Sequence, residues 1–218
     1  TRVGAVTGEV MICLVINGKK MPHDKELVDR LLNCSWNNKT AVNATPATNI
    51  ADDTTTAPAT NIEGDTNTTL TIKSICLNYN EEKTNVILGQ DIQVLYGEKY
   101  IEDYIGDIKY RISPLSFYQV NPVQTRRLYQ TALEYADLKG GEVVWDLYCG
   151  IGTIGIVASD RAKRVIGVEL NAEAIRDAKI NSRMNKIENI EFYANDAGRF
   201  MVELADADEH IDVVFMDP

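Results

Sequence analysis

The fold of this chain is indicated most clearly by VVWDLYCGIGTIGI, residues 143–156. Its first half is a short apolar run typical of a buried parallel strand, and Gly150, Gly152 and Gly155 follow it in G-x-G-x-x-G spacing. Glycines at this spacing permit a tight turn, a close approach of backbone N–H groups to a ligand, and close packing of the next helix on the strand. The stretch therefore predicts a nucleotide-binding loop, with a helix that starts near Thr153.

A second buried strand follows in the sequence RVIGVEL, residues 164–170, and it carries an acid near its end. That acid, Glu169, lies nineteen residues after Gly150. At about this separation, a carboxylate in a nucleotide-binding fold accepts hydrogen bonds from the ribose hydroxyls. The two strands together predict a ligand that contains adenosine.

From Gly141 onward, predicted strands and helices alternate regularly. This alternation predicts an α/β fold with a doubly wound parallel sheet and right-handed crossovers. Ligands of such sheets bind beyond the carboxyl ends of the strands. Polar or glycine-rich groups follow four successive predicted strands at that edge: residues 146–150, Glu169, Asn195 with Asp196, and Asp217 with Pro218.

Two cofactors suit a site of this kind, a dinucleotide and S-adenosylmethionine. A dinucleotide places its pyrophosphate on a helix N-terminus, where nearby acids repel it. Asp146, Asp196 and Asp217 all fall at the predicted ligand edge, and their charges suit a cationic sulfonium and a neutral adenine better. Asp196 could also accept a hydrogen bond from the adenine amino group. The sequence therefore favours S-adenosylmethionine and leaves an NAD-dependent oxidoreductase domain as an alternative.

The chain before this fold is predicted to form a smaller domain, residues 1–113. Its short apolar alternations and one helical pattern indicate an α/β domain that contains an antiparallel sheet. Residues 37–69 interrupt this domain with a segment rich in Asn, Thr, Ala, Asp and Pro. Such a segment cannot bury enough apolar surface to offset its ordering entropy, so we expect a disordered surface insertion.

The second domain, residues 114–218, is predicted to open with a helix. Asn121 can cap this helix, and Pro122 suits its first position. The segment from Phe117 to Gln119 lies just before this helix. It is either a linker with aromatic packing or a lip over the nucleotide site.

The composition is that of an ordinary globular protein, since 44% of the 218 residues are hydrophobic and 25% are charged. The sequence lacks a signal peptide and any apolar run of about eighteen residues, so we expect a soluble, cytoplasmic protein without membrane contact. The four cysteines lack C-x-x-C spacing, which argues against a metal site and a disulfide framework. The net charge of −10 argues against nucleic-acid binding by electrostatics alone.

Five short segments resemble the RNA uracil-5 (m5U) methyltransferases, a family that acts on transfer or ribosomal RNA. They are SFYQVN at 116–121, DLYCGIGT at 146–153, GVE at 167–169, NDA at 195–197 and DP at 217–218. The resemblance implies a Rossmann-like class I methyltransferase fold, S-adenosylmethionine as cofactor, and methylation of carbon 5 of a uridine. It favours ribosomal over transfer RNA as the partner, and we expect a monomer.

Carried over position by position, the resemblance also implies a set of cofactor contacts. They are Gln119, Tyr148, Thr153, Glu169, Asp196 and Asp217, to which the glycine loop adds Gly150.

The chemistry of this family needs a cysteine thiolate that adds to carbon 6 of uracil and a base that removes the carbon-5 proton. In the family both groups lie beyond the DP motif, and this chain stops at Pro218. We therefore expect a fragment without a catalytic residue or activity of its own, with its parallel sheet truncated after the fourth strand. A non-catalytic cofactor-binding module is a further alternative. The sequence does not specify which RNA or which uridine is modified.

Overall fold

The computed structural model of this chain describes residues 1–34, 69–83, 85–206 and 210–217. These residues form two four-stranded sheets and a two-stranded hairpin. The predicted insertion at 37–69 lies, except for its last position, outside the described residues. Within the described ranges, no helix is both long enough and apolar enough to cross a membrane.

The N-terminal sheet contains strands β1 (Arg2–Val3), β2 (Glu9–Ile16), β3 (Thr71–Tyr79) and β4 (Asp91–Gly97), in that spatial order. The outer pairs β1–β2 and β3–β4 are antiparallel as predicted, but the central pair β2–β3 is parallel. Helix α1 (Asp24–Leu32) lies between β2 and β3 in the chain, and a crossover of this kind lets neighbouring strands run in the same direction. The sheet is therefore mixed rather than purely antiparallel.

One face of this sheet is covered by α1. Val28 of the helix is buried, and Leu31 packs against the same apolar cluster. The strands contribute four buried residues to that cluster, Val10, Ile12, Ile72 and Ile75. Met11 belongs instead to the larger core that includes the second sheet, so the N-terminal sheet contributes to two separate apolar clusters.

Strands β5 (Ile101–Ile105) and β6 (Ile108–Ile112) form an antiparallel hairpin. The hairpin is joined to helix α4 (Ala172–Met184), because Asn181 accepts a hydrogen bond from the backbone N–H of Arg111 at 2.8 Å. Buried hairpin residues also share a core with the second sheet. The hairpin thus packs with the second sheet, although it lies before residue 113 in the sequence. The domain boundary at residue 113 stays a prediction.

The second sheet consists of β7 (Val143–Leu147), β8 (Arg164–Glu169), β9 (Ile190–Ala194) and β10 (Val213–Met216). Its spatial order is β10-β7-β8-β9, and every pair is parallel. The connections include α3 (Thr153–Ala158), α4 and α5 (Ala197–Asp206).

Alternating residues of β7 reach two different apolar clusters. Val144 belongs to the cluster that includes residues of α3 and α4, whereas Trp145 belongs to the cluster that includes α5. Helices therefore cover both faces of the sheet. The chain builds the sheet from β7 outward to β8 and β9, and then returns to add β10 on the other side of β7. These features confirm the predicted doubly wound, Rossmann-like fold.

Helix α2 (Pro122–Ala136) begins as the sequence predicts. The Asn121 side chain accepts a hydrogen bond from the Gln124 N–H at 3.1 Å, and Pro122 occupies the first helical position.

We expect Asn121→Ala to lower the free energy of unfolding by about 1 kcal/mol, because it leaves the Gln124 N–H without its cap. Urea denaturation measures this change. Asn121→Ser should retain most of the stability, and an alanine variant as stable as the parent would show that the cap contributes nothing.

Candidate functional site

The loop between β7 and α3 turns sharply through left-handed backbone. Tyr148, Gly150 and Gly152 have φ angles of 65°, 54° and 82°. Glycine adopts such angles without steric cost, whereas an aromatic residue does so only when its surroundings fix it there. Tyr148 is thus a strained position at the ligand edge of the sheet.

The three glycines of the loop meet different constraints. A Cβ at Gly152 would lie 2.8 Å from the Phe192 ring, and one at Gly155 would lie 2.8 Å from Oδ2 of Asp146. A Cβ at Gly150 would meet nothing within 4 Å. Gly152 and Gly155 therefore permit close packing, while Gly150 borders open space.

Glu169, at the end of β8, is fixed against this loop by two backbone groups. Its Oε2 accepts a hydrogen bond from the Gly150 N–H at 3.2 Å, and its Oε1 accepts one from the Asn171 N–H at 2.8 Å. Each carboxylate oxygen retains capacity for a further hydrogen bond. The carboxylate is therefore oriented and still able to accept from a ligand.

Asp146 lies at the end of β7 and is only 2% exposed. Its Oδ2 accepts a hydrogen bond from the Gly155 N–H at 2.8 Å. Burial raises the pKa of Asp146 to about 7, the hydrogen bond from Gly155 opposes this rise, and the charges of Asp217 and Glu169 add to it. The site therefore contains a carboxyl group that titrates near neutral pH.

A cavity of about 400 Å³ opens at this edge of the sheet. Six of the seven predicted cofactor-binding residues line it, namely Gln119, Tyr148, Gly150, Thr153, Glu169 and Asp217. Phe117 and Tyr118 also line it, which favours the lip over the plain linker. Asp146 and Tyr129 complete the polar lining.

Asp196, the seventh predicted residue, does not line this cavity. Its side chain is exposed, and its Oδ1 accepts a hydrogen bond from the Arg199 N–H at 2.9 Å, at the start of α5. In this structure Asp196 therefore acts as a helix cap.

Two tyrosines absent from the predicted site hold Thr153, the first residue of α3. The Tyr129 hydroxyl donates to Oγ1 of Thr153 at 2.8 Å, and the Tyr110 hydroxyl donates to the Thr153 carbonyl oxygen at 3.1 Å. Tyr110 is 0% exposed and Tyr129 is 3% exposed. The hairpin and α2 thus both fix the position of the loop. Helical spacing along α2, which buries Thr125, Tyr129 and Leu133, was the only signal in the sequence that pointed to Tyr129.

Cys149 sits in the same loop but faces the interior. A Cβ at Gly167 would lie 3.1 Å from its sulfur, and burial raises the pKa of this thiol well above its ordinary value. A buried thiol of this kind is a poor nucleophile, so Cys149 is a packing residue.

Comparison with known proteins matches residues 138–218 to a family model described as a methyltransferase domain. Over 212 residues, or 97% of this chain and 39% of the relative, the chain is 42% identical to an uncharacterized RNA methyltransferase of Clostridium tetani. A protein of the same description from Halalkalibacterium halodurans is 42% identical over 217 residues, covering all of this chain and 40% of the relative. The chain thus spans about two fifths of the length of these relatives.

Among solved structures, the chain is similar to the Pyrococcus abyssi tRNA (uracil-54, C5)-methyltransferase in complex with S-adenosyl-L-homocysteine. The TM-score is 0.58 at 26% sequence identity, over 88% of this chain and 37% of that protein. The family match and this structure support the predicted cofactor, S-adenosylmethionine. Residues 138–218 therefore have a Rossmann-like fold and match the model of a methyltransferase domain, in a chain similar along nearly its whole length to proteins named RNA methyltransferases.

Proposed function

We propose that this chain is the cofactor-binding part of an S-adenosylmethionine-dependent RNA methyltransferase that methylates carbon 5 of a uridine. The observation that carries the proposal is the acid-lined cavity beside the glycine loop, at the carboxyl edge of a methyltransferase sheet. The SFYQVN segment supports uracil as the target, and so does the similarity to the tRNA (uracil-54, C5)-methyltransferase.

The cavity fits such a cofactor in size and charge. Its volume of about 400 Å³ is in the range of small-molecule sites, and Gly150 leaves the loop side open. Three carboxyl groups line it, from Asp146, Glu169 and Asp217, and none of its described lining residues is basic. Bound there, the cofactor supplies an electrophilic methyl group on a positively charged sulfur, which these carboxylates attract.

Individual residues have distinct roles in this proposal. Glu169 would accept the ribose hydroxyls, because its carboxylate is already oriented by the loop. Asp146 and Asp217 would set the negative potential, and Gln119 and Tyr148 would contact the remaining polar and aromatic surface of the ligand. Asp196 would have to leave its capping position to reach adenine.

The same geometry disfavours a dinucleotide. A pyrophosphate in a glycine loop needs free backbone N–H groups, but the Gly150 N–H already donates to the Glu169 carboxylate. Displacing that carboxylate would place two anions side by side, which is electrostatically unfavourable.

Isothermal titration calorimetry with S-adenosylhomocysteine, and with NADH in parallel, tests the cofactor assignment. We expect the chain to bind S-adenosylhomocysteine and not NADH. Binding of NADH alone would replace the proposal with the oxidoreductase alternative, and binding of neither would contradict a preformed cofactor site.

We also propose that the nucleophile of the reaction is not among residues 1–218. Cys149 is the only cysteine that lines the cavity among the described residues, and it is buried with a raised pKa. The chain alone should therefore bind cofactor without transferring methyl. The predicted monomeric state and cytoplasmic location stay predictions.

Carbon-5 specificity is tested with the longer protein that contains this chain and RNA labelled with tritium at carbon 5 of uridine. Methyl transfer at that carbon releases tritium into water. Separate ribosomal and transfer RNA arms identify the substrate, and we expect release from ribosomal RNA. Cofactor binding without release from either RNA would favour the non-catalytic binding module, and methyl transfer without tritium release would place the methyl group on another atom.

The two tyrosines that hold Thr153 provide a further prediction. We expect Tyr110→Phe and Tyr129→Phe each to weaken S-adenosylhomocysteine binding roughly fivefold, because each removes one hydrogen bond that fixes the loop. Calorimetry measures the dissociation constant, and thermal unfolding of the ligand-free protein reports stability separately. Tyr135 lies on α2, as Tyr129 does, but is 87% exposed, so Tyr135→Phe is the matched control. Lower stability with unchanged affinity would mean that the hydroxyls serve the fold alone.

A further inference from the structure

Two cysteines outside the cofactor site lie side by side on adjacent strands of the N-terminal sheet. Cys13 of β2 and Cys76 of β3 are register partners in the parallel central pair, and both are free thiols. Register partners project from the same face of a sheet. Neighbouring strands lie about 4.8 Å apart, and disulfides span Cα separations of roughly 4.4–6.8 Å. The register of the two strands therefore places this pair within the Cα range of disulfides.

The two thiols differ in how solvent reaches them. Cys76 is 0% exposed, whereas Cys13 is partly exposed. A reagent in solution therefore meets Cys13 first, and Cys76 lies behind it as the second thiol of the pair.

Their protonation also differs. A hydrogen bond from the Cys76 thiol lowers the pKa of Cys13, and the positive charge of Arg2 acts in the same direction. The same hydrogen bond, together with burial, raises the pKa of Cys76. Arg2 is held in place, since its guanidinium donates to the carbonyl oxygens of Ser113 and Ser116. Cys13, the more accessible of the two, thus has the larger fraction of thiolate, the form that reacts.

We propose that Cys13 and Cys76 form a reversible redox pair that hydroperoxides oxidise to a disulfide. The Cys13 thiolate attacks one peroxide oxygen, the O–O bond breaks, and the released hydroxide is protonated to water, leaving a sulfenic acid. The sulfenic acid carries no negative charge, so the Cys13 thiolate no longer holds the proton on Cys76. The Cys76 thiol then gives its proton to the leaving hydroxyl group while its sulfur attacks the Cys13 sulfur, so that the S–O bond breaks and water departs. Two thiols and one hydrogen peroxide give one disulfide and two waters, and a dithiol reductant returns two electrons and two protons.

The other two cysteines are distinguishable from this pair. Cys34 is exposed at the end of α1, and Cys149 is buried in the cofactor loop. Cys34→Ser therefore removes the competing accessible thiol, while Cys149 serves as an internal unreactive reference.

The test treats the Cys34→Ser chain with hydrogen peroxide, then denatures, alkylates and analyses it by mass spectrometry. We expect alkylation at Cys149 only, a peptide that joins Cys13 to Cys76, and recovery of both thiols with dithiothreitol. Adding Cys76→Ser should leave Cys13 as a sulfenic acid that dimedone traps. If all the thiols stay alkylatable under peroxide that fully oxidises free glutathione, or if the linked peptide contains Cys149, the proposal is overturned. Because the readout is thiol connectivity, it does not depend on the proposed methyltransferase function.

Discussion

Glu169→Ala is expected to weaken S-adenosylhomocysteine binding by at least about 100-fold. The carboxylate would accept two ribose hydroxyls, and each hydrogen bond to a charged acceptor contributes roughly 1.5–3 kcal/mol. The substitution also releases the Gly150 N–H and the Asn171 N–H, so the loop loses the group that orients it. Calorimetric titration measures the loss.

Two companion variants separate charge from shape at this position. Glu169→Gln retains an oxygen acceptor without the charge, so its affinity should lie between those of the parent and the alanine variant. Glu191 lies on the neighbouring strand β9, where it pairs with Arg164 of β8 and does not line the cavity. Glu191→Ala should therefore leave the affinity unchanged. Affinity of Glu169→Ala within about threefold of the parent would remove Glu169 from the proposed ribose site.

The central part of the site was predictable because its signals are contiguous in sequence. The apolar run of β7, the glycine spacing and the acid at the end of β8 each follow from local rules for strands and turns. Gly150, Glu169 and Asp217 accordingly meet at one cavity, since parallel strands bring their carboxyl ends to the same edge of the sheet. Gln119, Tyr148 and Thr153, which the family resemblance implied, line the same cavity.

The parts that sequence reasoning missed depend on tertiary contacts. Tyr110 reaches Thr153 across 43 positions of the chain, and Tyr129 reaches it across 24. No periodic pattern relates residues at those separations. The direction of β2 relative to β3 was missed for a related reason, because it depends on the crossover between them rather than on the residues within the strands.

Asp196 shows the limit of placing a residue by its position after a strand. The sequence locates it correctly between β9 and α5. Its rotamer is set by a local competitor for the carboxylate, the Arg199 N–H at the start of the helix. A residue that can cap a helix is therefore a weaker prediction for a ligand contact than one whose carboxylate already faces the loop.

Asp146→Asn is expected to have opposite effects on stability and on cofactor affinity. The pKa of Asp146 rises from 3.8 to about 7 in the folded protein, mainly through burial. A raised folded pKa means that the folded state holds the proton more tightly. The stabilisation that comes from protonated Asp146 is complete below about pH 4 and is lost as the pH rises through 7. Over that range the free energy of unfolding falls by roughly 4 kcal/mol. The neutral asparagine lacks this loss, so the variant should be the more stable protein at about pH 8.

The same carboxylate should favour the cationic cofactor when it is ionised. We expect the affinity of the parent chain for S-adenosylmethionine to increase from about pH 5 to about pH 8, because Asp146 loses its proton over that range. S-adenosylhomocysteine, which lacks the positive charge on sulfur, should show a smaller increase, and Asp146→Asn should show little for either ligand. Chemical denaturation and calorimetry at matched pH values measure the two effects. If the variant were less stable than the parent at about pH 8 and bound S-adenosylmethionine with the same pH dependence, then the buried carboxylate would be neither a cost to folding nor an attraction for the cofactor. Because burial raises the pKa and a bound cation lowers it, both effects in the parent would follow from one desolvated charge placed beside the loop.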